Sequence, residues 1–291
     1  MVNTQHLGSI KEMQPQYTVR SETNQRQNNE DSFQVLPLAI APGQKPLFVL
    51  SIADGMGGLA YGEKVSREAL KKVSIALFEE LVVEPSINCW QSLPPIDANR
   101  LSQALTNALE QANAHLRRMV EANKWGKAGS TIVVAGIIED TAVVVNLGDS
   151  PLFHYQARSG QLTKVTQDHT VAGVLLRAEL ITPEMARYHQ GRSQLEFYLG
   201  CPQLPPIPAY QLKLAPGDLL LLCSDGISGT LLHEQIAAIL AEPNSSLESM
   251  ADSLLRVSRE AGETDNQTLI LWRHQSEEGE RGSSGEPKSK I

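Results

Sequence analysis

Five short runs, residues 47–53, 131–138, 141–147, 219–224 and 268–272, are dominated by Val, Ile and Leu, and they limit the fold more than any other feature of the chain. Runs this short and this rich in branched side chains read as strands buried on at least one face. Two stretches of helical period separate the first run from the second. In 63–83 the apolar positions are Val65, Leu70, Val73, Leu77 and Leu81; in 98–122 they are Leu101, Leu105, Leu109, Ala112, Leu116 and Met119. Each makes one apolar stripe that must pack on something. A third helix is predicted from Ser245 with Glu248 three residues on, a capping box ahead of Leu247, Met250, Leu254 and Val257. Thr182 and Pro183 open a shorter helix that Gly191 can end, inside 170–194, a surface excursion poor in apolar runs. The block order implies an α+β fold, two sheets with helices laid over their outer faces.

Residues 17–273 contain no linker, repeat or low-complexity break and read as one domain. The flanks 1–16 and 274–291 are expected to be a flexible N-terminus and a disordered tail, the latter almost free of apolar residues. No run reaches the length of a membrane helix and the N-terminus lacks a secretory pattern, so a cytoplasmic protein is expected. Cys89, Cys201 and Cys223 are odd in number and lack C-x-x-C spacing, which suits that compartment; Cys223 sits in an apolar run and reads as a buried strand residue. A net charge of -8 with no Lys/Arg stripe excludes a nucleic-acid partner from the expectation. An acidic chain that acts on phosphate esters needs cations to overcome the repulsion.

Four of the apolar runs have an Asp at one end beside Gly or Asn: Asp54-Gly55 after 47–53, Gly148-Asp149 after 141–147, Asp225-Gly226 after 219–224, and Asp265-Asn266 before 268–272. One such pair is an ordinary turn. Four on facing sheets can bring several carboxylates into one cleft, where they repel unless hard cations bind them. Neither His nor Cys recurs at zinc spacing, so the chemistry points to Mg2+ or Mn2+. The stretch Ala53-Asp54-Gly55-Met56-Gly57-Gly58 lacks the G-K-[ST] ending of a nucleotide-binding loop, and its glycines can let a main-chain oxygen approach a metal. Upstream, Arg26 stands close to Glu30 and Asp31; its guanidinium suits a bidentate grip on phosphate, and the acids could join the cluster.

The motifs R-x-x-N-E-D (26–31), A-D-G-M-G-G (53–58) with Gly62-Glu63, G-S-T (129–131), L-G-D-S (147–150), T-x-D-H (166–169), L-C-S-D-G (222–226) and D-N-x-T (265–268) occur in the order found in bacterial members of the metal-dependent Ser/Thr protein phosphatases, the type 2C or PPM family, and the chain resembles them over about 17–273. The resemblance implies two packed antiparallel sheets flanked by helix pairs. It implies that Asp54 bridges two Mg2+ or Mn2+ ions and that the Gly55 carbonyl binds the second. Asp225 and Asp265 would bind the first, and Glu30 or Asp31 would complete the second ion's shell directly or through water. Arg26 would hold the phosphate, Asp149 with Asp225 a third and weaker ion, and 170–194 would be a flap beside the site.

The implied function is hydrolysis of phosphoserine and phosphothreonine on proteins by a water that the two ions activate for in-line attack. Its partners would be phosphorylated proteins, the substrates of a Ser/Thr kinase, acted on by a monomer away from membranes and nucleic acid. The alternatives are a catalytically silent regulatory or interaction module, and a small-molecule phosphatase with the same metal centre. Four departures stand out. Pro151 replaces the usual Arg, so the strand there should start at an edge or bulge. Asn24 stands where Gly is common, Arg192-Ser193 and Glu196-Phe197 replace the usual pairs after the flap, and Met56 stands where eukaryotic relatives have a His, which leaves the general acid unassigned and water as the expected proton source.

Overall fold

The inner strands show no polar alternation because each is buried on both faces, its odd and even residues feeding different cores. The computed structural model describes residues 16–39, 45–57, 61–82 and 96–275. The flexible 1–16 and tail 274–291 expected from composition fall almost wholly outside the described residues, as does Cys89. Along the chain come β1 (Gln16–Glu22), β2 (Asp31–Leu38), β3 (Leu47–Met56), α1 (Tyr61–Leu81), α2 (Ala98–Asn123), β4 (Gly129–Ser130), β5 (Ile132–Ile138), β6 (Thr141–Leu147), β7 (Leu152–Gln156) and β8 (Gln161–Lys164). They are followed by α3 (Val171–Arg177), α4 (Pro183–Tyr188), β9 (Tyr210–Lys213), β10 (Leu219–Cys223), α5 (Asp225–Ser228), α6 (His233–Leu240), α7 (Leu247–Glu260) and β11 (Gln267–Arg273).

Every strand pairing is antiparallel. One sheet has the order β1-β11-β10-β7-β8 and the other β2-β3-β5-β6-β9, with β4 paired to β3. Leu50 and Ile52 of β3, Val133 of β5, Leu220 and Leu222 of β10 and Ile270 of β11 meet between the sheets. Their sequence neighbours Leu47, Val49, Val134 and Val145 face outward to Val73 and Leu77 of α1 and Leu105 and Leu109 of α2. On the other side, Leu219, Leu221 and Leu271 face Ile236 of α6 and Leu254 of α7. Two sheets lie face to face with helices on both outer faces, as expected. Deleting one fully buried side chain such as Leu77 would cost about 2–5 kcal/mol.

Several local expectations need correction. The cap of α7 is Ser246, whose side chain accepts from the Ser249 amide at 3.2 Å, and not Ser245. The helix α4 ends at Tyr188 and is closed by His189, whose amide reaches the Ala186 carbonyl, so Gly191 is not its terminator. Its start is as expected, with Thr182 Oγ1 accepting from the Met185 amide. The strand expected over 47–53 runs three residues further, to Met56, because β4 pairs with Gly55 and Met56. Pro151 begins neither an edge strand nor a bulge: β7 lies inside its sheet, and Pro151 precedes it by one residue, where only its carbonyl is needed, as acceptor for the Cys223 amide at 3.1 Å. Asn24 has φ 52°, a left-handed conformation that Asn tolerates. Cys223 is fully buried, which pushes its thiol up to about 12.

The excursion 170–194 closes on itself at its base. Thr170 bridges Leu195, and the Val171 amide donates to the Gln194 carbonyl at 2.9 Å. Between these ends stand α3 and α4; Leu180 in the turn that joins them and Met185 and Tyr188 on α4 are exposed apolar side chains.

Candidate active site

Asp31 and Asp54 are direct cross-strand partners on β2 and β3. Like charges placed opposite one another destabilise a sheet unless something binds them. Asp31 is buried; its Oδ2 accepts from Ser224 Oγ at 2.8 Å, while its Oδ1 is enclosed without a hydrogen-bond partner. Such an atom calls for a donor or a cation. The backbone of Asp54 is fixed on both sides, its amide donating to Thr131 Oγ1 at 3.1 Å and its carbonyl accepting from the Thr131 amide at 2.8 Å and Ser130 Oγ at 3.0 Å. Thr131 Oγ1 in turn lies 2.6 Å from Ser150 Oγ.

The next residue must be glycine. A Cβ on Gly55 would stand 2.0 Å from the Gly62 carbonyl oxygen, and one on Gly62 would stand 2.6 Å from the Glu30 carboxyl and 2.7 Å from the Gly55 oxygen. This crowding sets the Glu30 carboxyl and the Gly55 carbonyl side by side at the start of α1. The Gly55 amide also donates to the Glu30 carbonyl at 3.1 Å.

The second sheet supplies the remaining acids. Asp225 is the first residue of α5, directly after β10, and Ser224 before it accepts from the Thr268 amide at 3.1 Å. Asp265 precedes β11; its Oδ1 accepts from the Asn266 amide at 2.8 Å and its Oδ2 from Arg26 Nη2 at 2.5 Å. Arg26 and Asp265, expected to hold phosphate and metal respectively, are thus each other's partner here. Asn266 ties the 23–30 segment to β11, donating to the carbonyls of Thr23 and Asn28 and accepting from the Glu30 amide.

Asp149 follows Gly148, whose φ of +105° and whose hypothetical Cβ, 2.6 Å from Thr131 Cβ, exclude a side chain. His169 clamps that glycine twice. Its Nδ1 accepts from the Gly148 amide at 3.1 Å and its own amide donates to the Gly148 carbonyl at 2.9 Å. Nδ1 is therefore unprotonated, and burial, then the charge of Arg177, holds the ring below its ordinary range.

The electrostatics tie the acids into one group. Burial first, then the charges of Asp31, Asp225, Asp149 and Asp265, pushes Asp54 well above the carboxylate range. Burial, then Asp149, Asp265 and Asp31, does the same to Asp225. Burial raises Asp31 to about 6; burial, then Asp168, raises Asp149 to about 6. Glu30 is raised, mainly by burial. Carboxylates, a main-chain carbonyl and one orphaned carboxylate oxygen make a hard oxygen donor set that fits Mg2+ or Mn2+. Among the described residues no three His, Cys, Asp or Glu side chains close on a single point.

All eight residues singled out in the sequence belong to this region, but Thr131, Ser224, Asn266 and His169 were given no role there. Three of them lie in the motifs G-S-T, L-C-S-D-G and D-N-x-T, and His169 ends T-x-D-H, so a signal existed without a mechanism to attach to it.

Residues 20–271 match the model of the family described as protein phosphatase 2C. The serine/threonine phosphatase stp of Listeria welshimeri is 27% identical over 226 residues, which cover 77% of this chain and 83% of that one. The serine/threonine phosphatase Stp1 of Staphylococcus aureus superposes with a TM-score of 0.76 at 25% identity, over 90% of this chain and 96% of the other. The catalytic domain of the serine/threonine protein phosphatase PstP, crystallised in complex with two manganese ions, superposes with a TM-score of 0.67 at 25% identity, over 90% and 98%.

Proposed function

Because the chain belongs to the protein phosphatase 2C family, we propose that its carboxylate cluster is the metal centre of the phosphatase activity that membership brings. The protein is a metal-dependent protein-serine/threonine phosphatase, with phosphorylated proteins as substrates and Mg2+ or Mn2+ as cofactor. The observation that carries the assignment to these residues is the in-register pairing of Asp31 with Asp54, two carboxylates facing each other across a strand pair with three more acids around them.

In this reading Asp54, Asp225 and Asp265 would hold one ion, and Asp54 with the Gly55 carbonyl a second. The Glu30 carboxyl, beside the Gly55 carbonyl, serves the second ion. Asp31, steadied by Ser224 through Oδ2, would turn its unpartnered Oδ1 to the same ion, directly or through water, and Asp149 with Asp225 would hold a third, weaker ion. Ions held there supply Lewis acidity that makes water nucleophilic near neutral pH and draws charge from the phosphoryl group. Arg26, held at the cluster by Asp265, would bind the phosphate and orient the ester for in-line attack. Thr131 fixes the main chain of Asp54, and His169 fixes that of Asp149. His169 commits Nδ1 to Gly148 and His233 commits Nε2 to the Leu162 carbonyl; in this reading the proton for the leaving oxygen comes from water at the centre.

The catalytic domain spans 17–273, with 170–194 as a flap beside the site. Substrates carry phosphate placed by a Ser/Thr kinase, and the enzyme acts as a cytoplasmic monomer, apart from membranes and nucleic acid. No helix among the described residues is long and apolar enough to cross a membrane. The test is hydrolysis of p-nitrophenyl phosphate, a phosphothreonine peptide and sugar phosphates with Mn2+ and with EDTA. Turnover that needs Mn2+ and favours the peptide is expected. No turnover would leave the silent module, and preference for sugar phosphates would leave the small-molecule enzyme.

A further inference from the structure

A cavity of about 320 Å3 opens beside the centre, between the 170–194 flap and the sheet carrying β7 and β8. Asp149 and Asp225 form one end of it, so a group that fills the cavity while a phosphate ester sits at the cluster lies next to that ester. Its volume lies at the small end for ligand pockets and suits one side chain rather than a second molecule. Phe153 and Leu231 give it an apolar floor.

The charges on its walls are unequal in status. Lys164 is neutralised by Asp168, with Nζ 2.6 and 2.7 Å from the two carboxylate oxygens. The flap contributes Arg187 and Arg192. Arg187 donates to the Thr230 carbonyl at 3.1 Å, a neutral acceptor that leaves its charge uncompensated. Arg192 is exposed, and neither guanidinium has a carboxylate partner among the described residues. A planar fork on a cavity wall is suited to carboxylate or phosphate oxygens.

We propose that this cavity is a specificity subsite that takes an anionic side chain next to the phosphoresidue of the substrate, bound by Arg192 with support from Arg187. Both an acidic residue and a second phosphoresidue supply that chemistry. The inference rests on reading Asp149 and Asp225 as part of the catalytic centre.

The test uses the full-length enzyme with Mn2+ and phosphothreonine peptides that carry Ala, Glu, phosphoserine or Lys at each of the two positions on either side. For the wild type, kcat/KM should be roughly tenfold higher with Glu or phosphoserine than with Ala at one of these positions, the order of one charge-assisted hydrogen bond. A preference shared by Glu and phosphoserine identifies a subsite for any anion, and one confined to phosphoserine identifies a second phosphate. Arg192→Ala should bring the ratio close to one, and Arg192→Glu should reverse it in favour of Lys. Each ratio is taken within one variant, so a general loss of activity or stability cancels. A flat wild-type profile, or an acidic preference that survives Arg192→Glu, overturns the subsite. Wild-type hydrolysis of p-nitrophenyl phosphate separates the two levels: if it is absent, the catalytic reading itself fails, and if it is present beside a flat peptide profile, only the subsite does.

Discussion

Asp54 is held in a conformation that costs the fold something, because its charge faces that of Asp31 across the ladder while burial raises its pKa. The substitution Asp54→Asn removes the charge and little volume, so activity and stability should move in opposite directions. We expect kcat to fall about 100-fold or more, the scale of losing a principal electrostatic group. In EDTA at pH 7.5 the same variant should melt about 2–4 °C above the wild type, the shift of roughly 1 kcal/mol in a chain of this size. A thermal melt of both proteins decides it, and a variant that melts lower would mean that Asp54 is neutral or compensated in the fold. Asp149 is the second residue to test. Asp149→Ala should keep the tighter centre and lose much of the turnover, so that an activity titration with Mn2+ shows two affinity classes in the wild type and one in the variant. If both classes persist with full turnover, Asp149 is only the turn residue that its Gly148 neighbour first suggests.

At the scale of elements, the inner strands were legible because residues such as Leu219 to Leu222 are apolar without exception, a pattern that arises where both faces are covered. The edge strands were not. The strand β1 reads Gln-Tyr-Thr-Val-Arg-Ser-Glu, with one buried position, and β2 contains Pro37, tolerated at an edge because its missing N–H would face away from the ladder. Helix ends show the same limit at finer grain, since Ser245 and Ser246 both offer a capping hydroxyl and only packing of Leu247 and Met250 fixes the register. Ser246→Ala should therefore lower stability by about 1 kcal/mol, while Ser245→Ala should change it by a few tenths at most. Urea unfolding of the two variants checks this, and equal losses would return the cap to the position first expected. In the candidate site, the acids were legible as strand-end residues. Their supports were not, because Ser224 reaches Asp31 over 193 positions and Asn266 reaches Glu30 over 236, contacts that no local pattern encodes.

For the whole molecule the cluster makes stability a function of pH and metal together. Asp31 and Asp149, raised to about 6 in the fold from about 3.9 when unfolded, support the folded state fully below the lower value and withdraw that support as pH rises through the upper one. His169 and His274 are held low and act in the opposite sense, gaining the fold stability as pH rises. The gain in Tm on adding Mn2+ isolates the groups at the cluster, the carboxylates together with His169 beside Asp149, from those elsewhere in the fold. That gain should grow from pH 5 to pH 7 as the ligands ionise. A gain that is flat or shrinks over this range would remove the cluster as the binding site. The same arrangement also dictates when activity can first exist. Asp31 and Asp54 come from one sheet and Asp225 and Asp265 from the other, while β11 must pair with β1, some 250 residues earlier, before Asn266 can pin Glu30. A nascent chain still threading from the ribosome, or one with its sheets parted, carries every acid and no centre. If this cluster is the metal centre proposed above, dephosphorylation begins only once both sheets and their closing strand are in place.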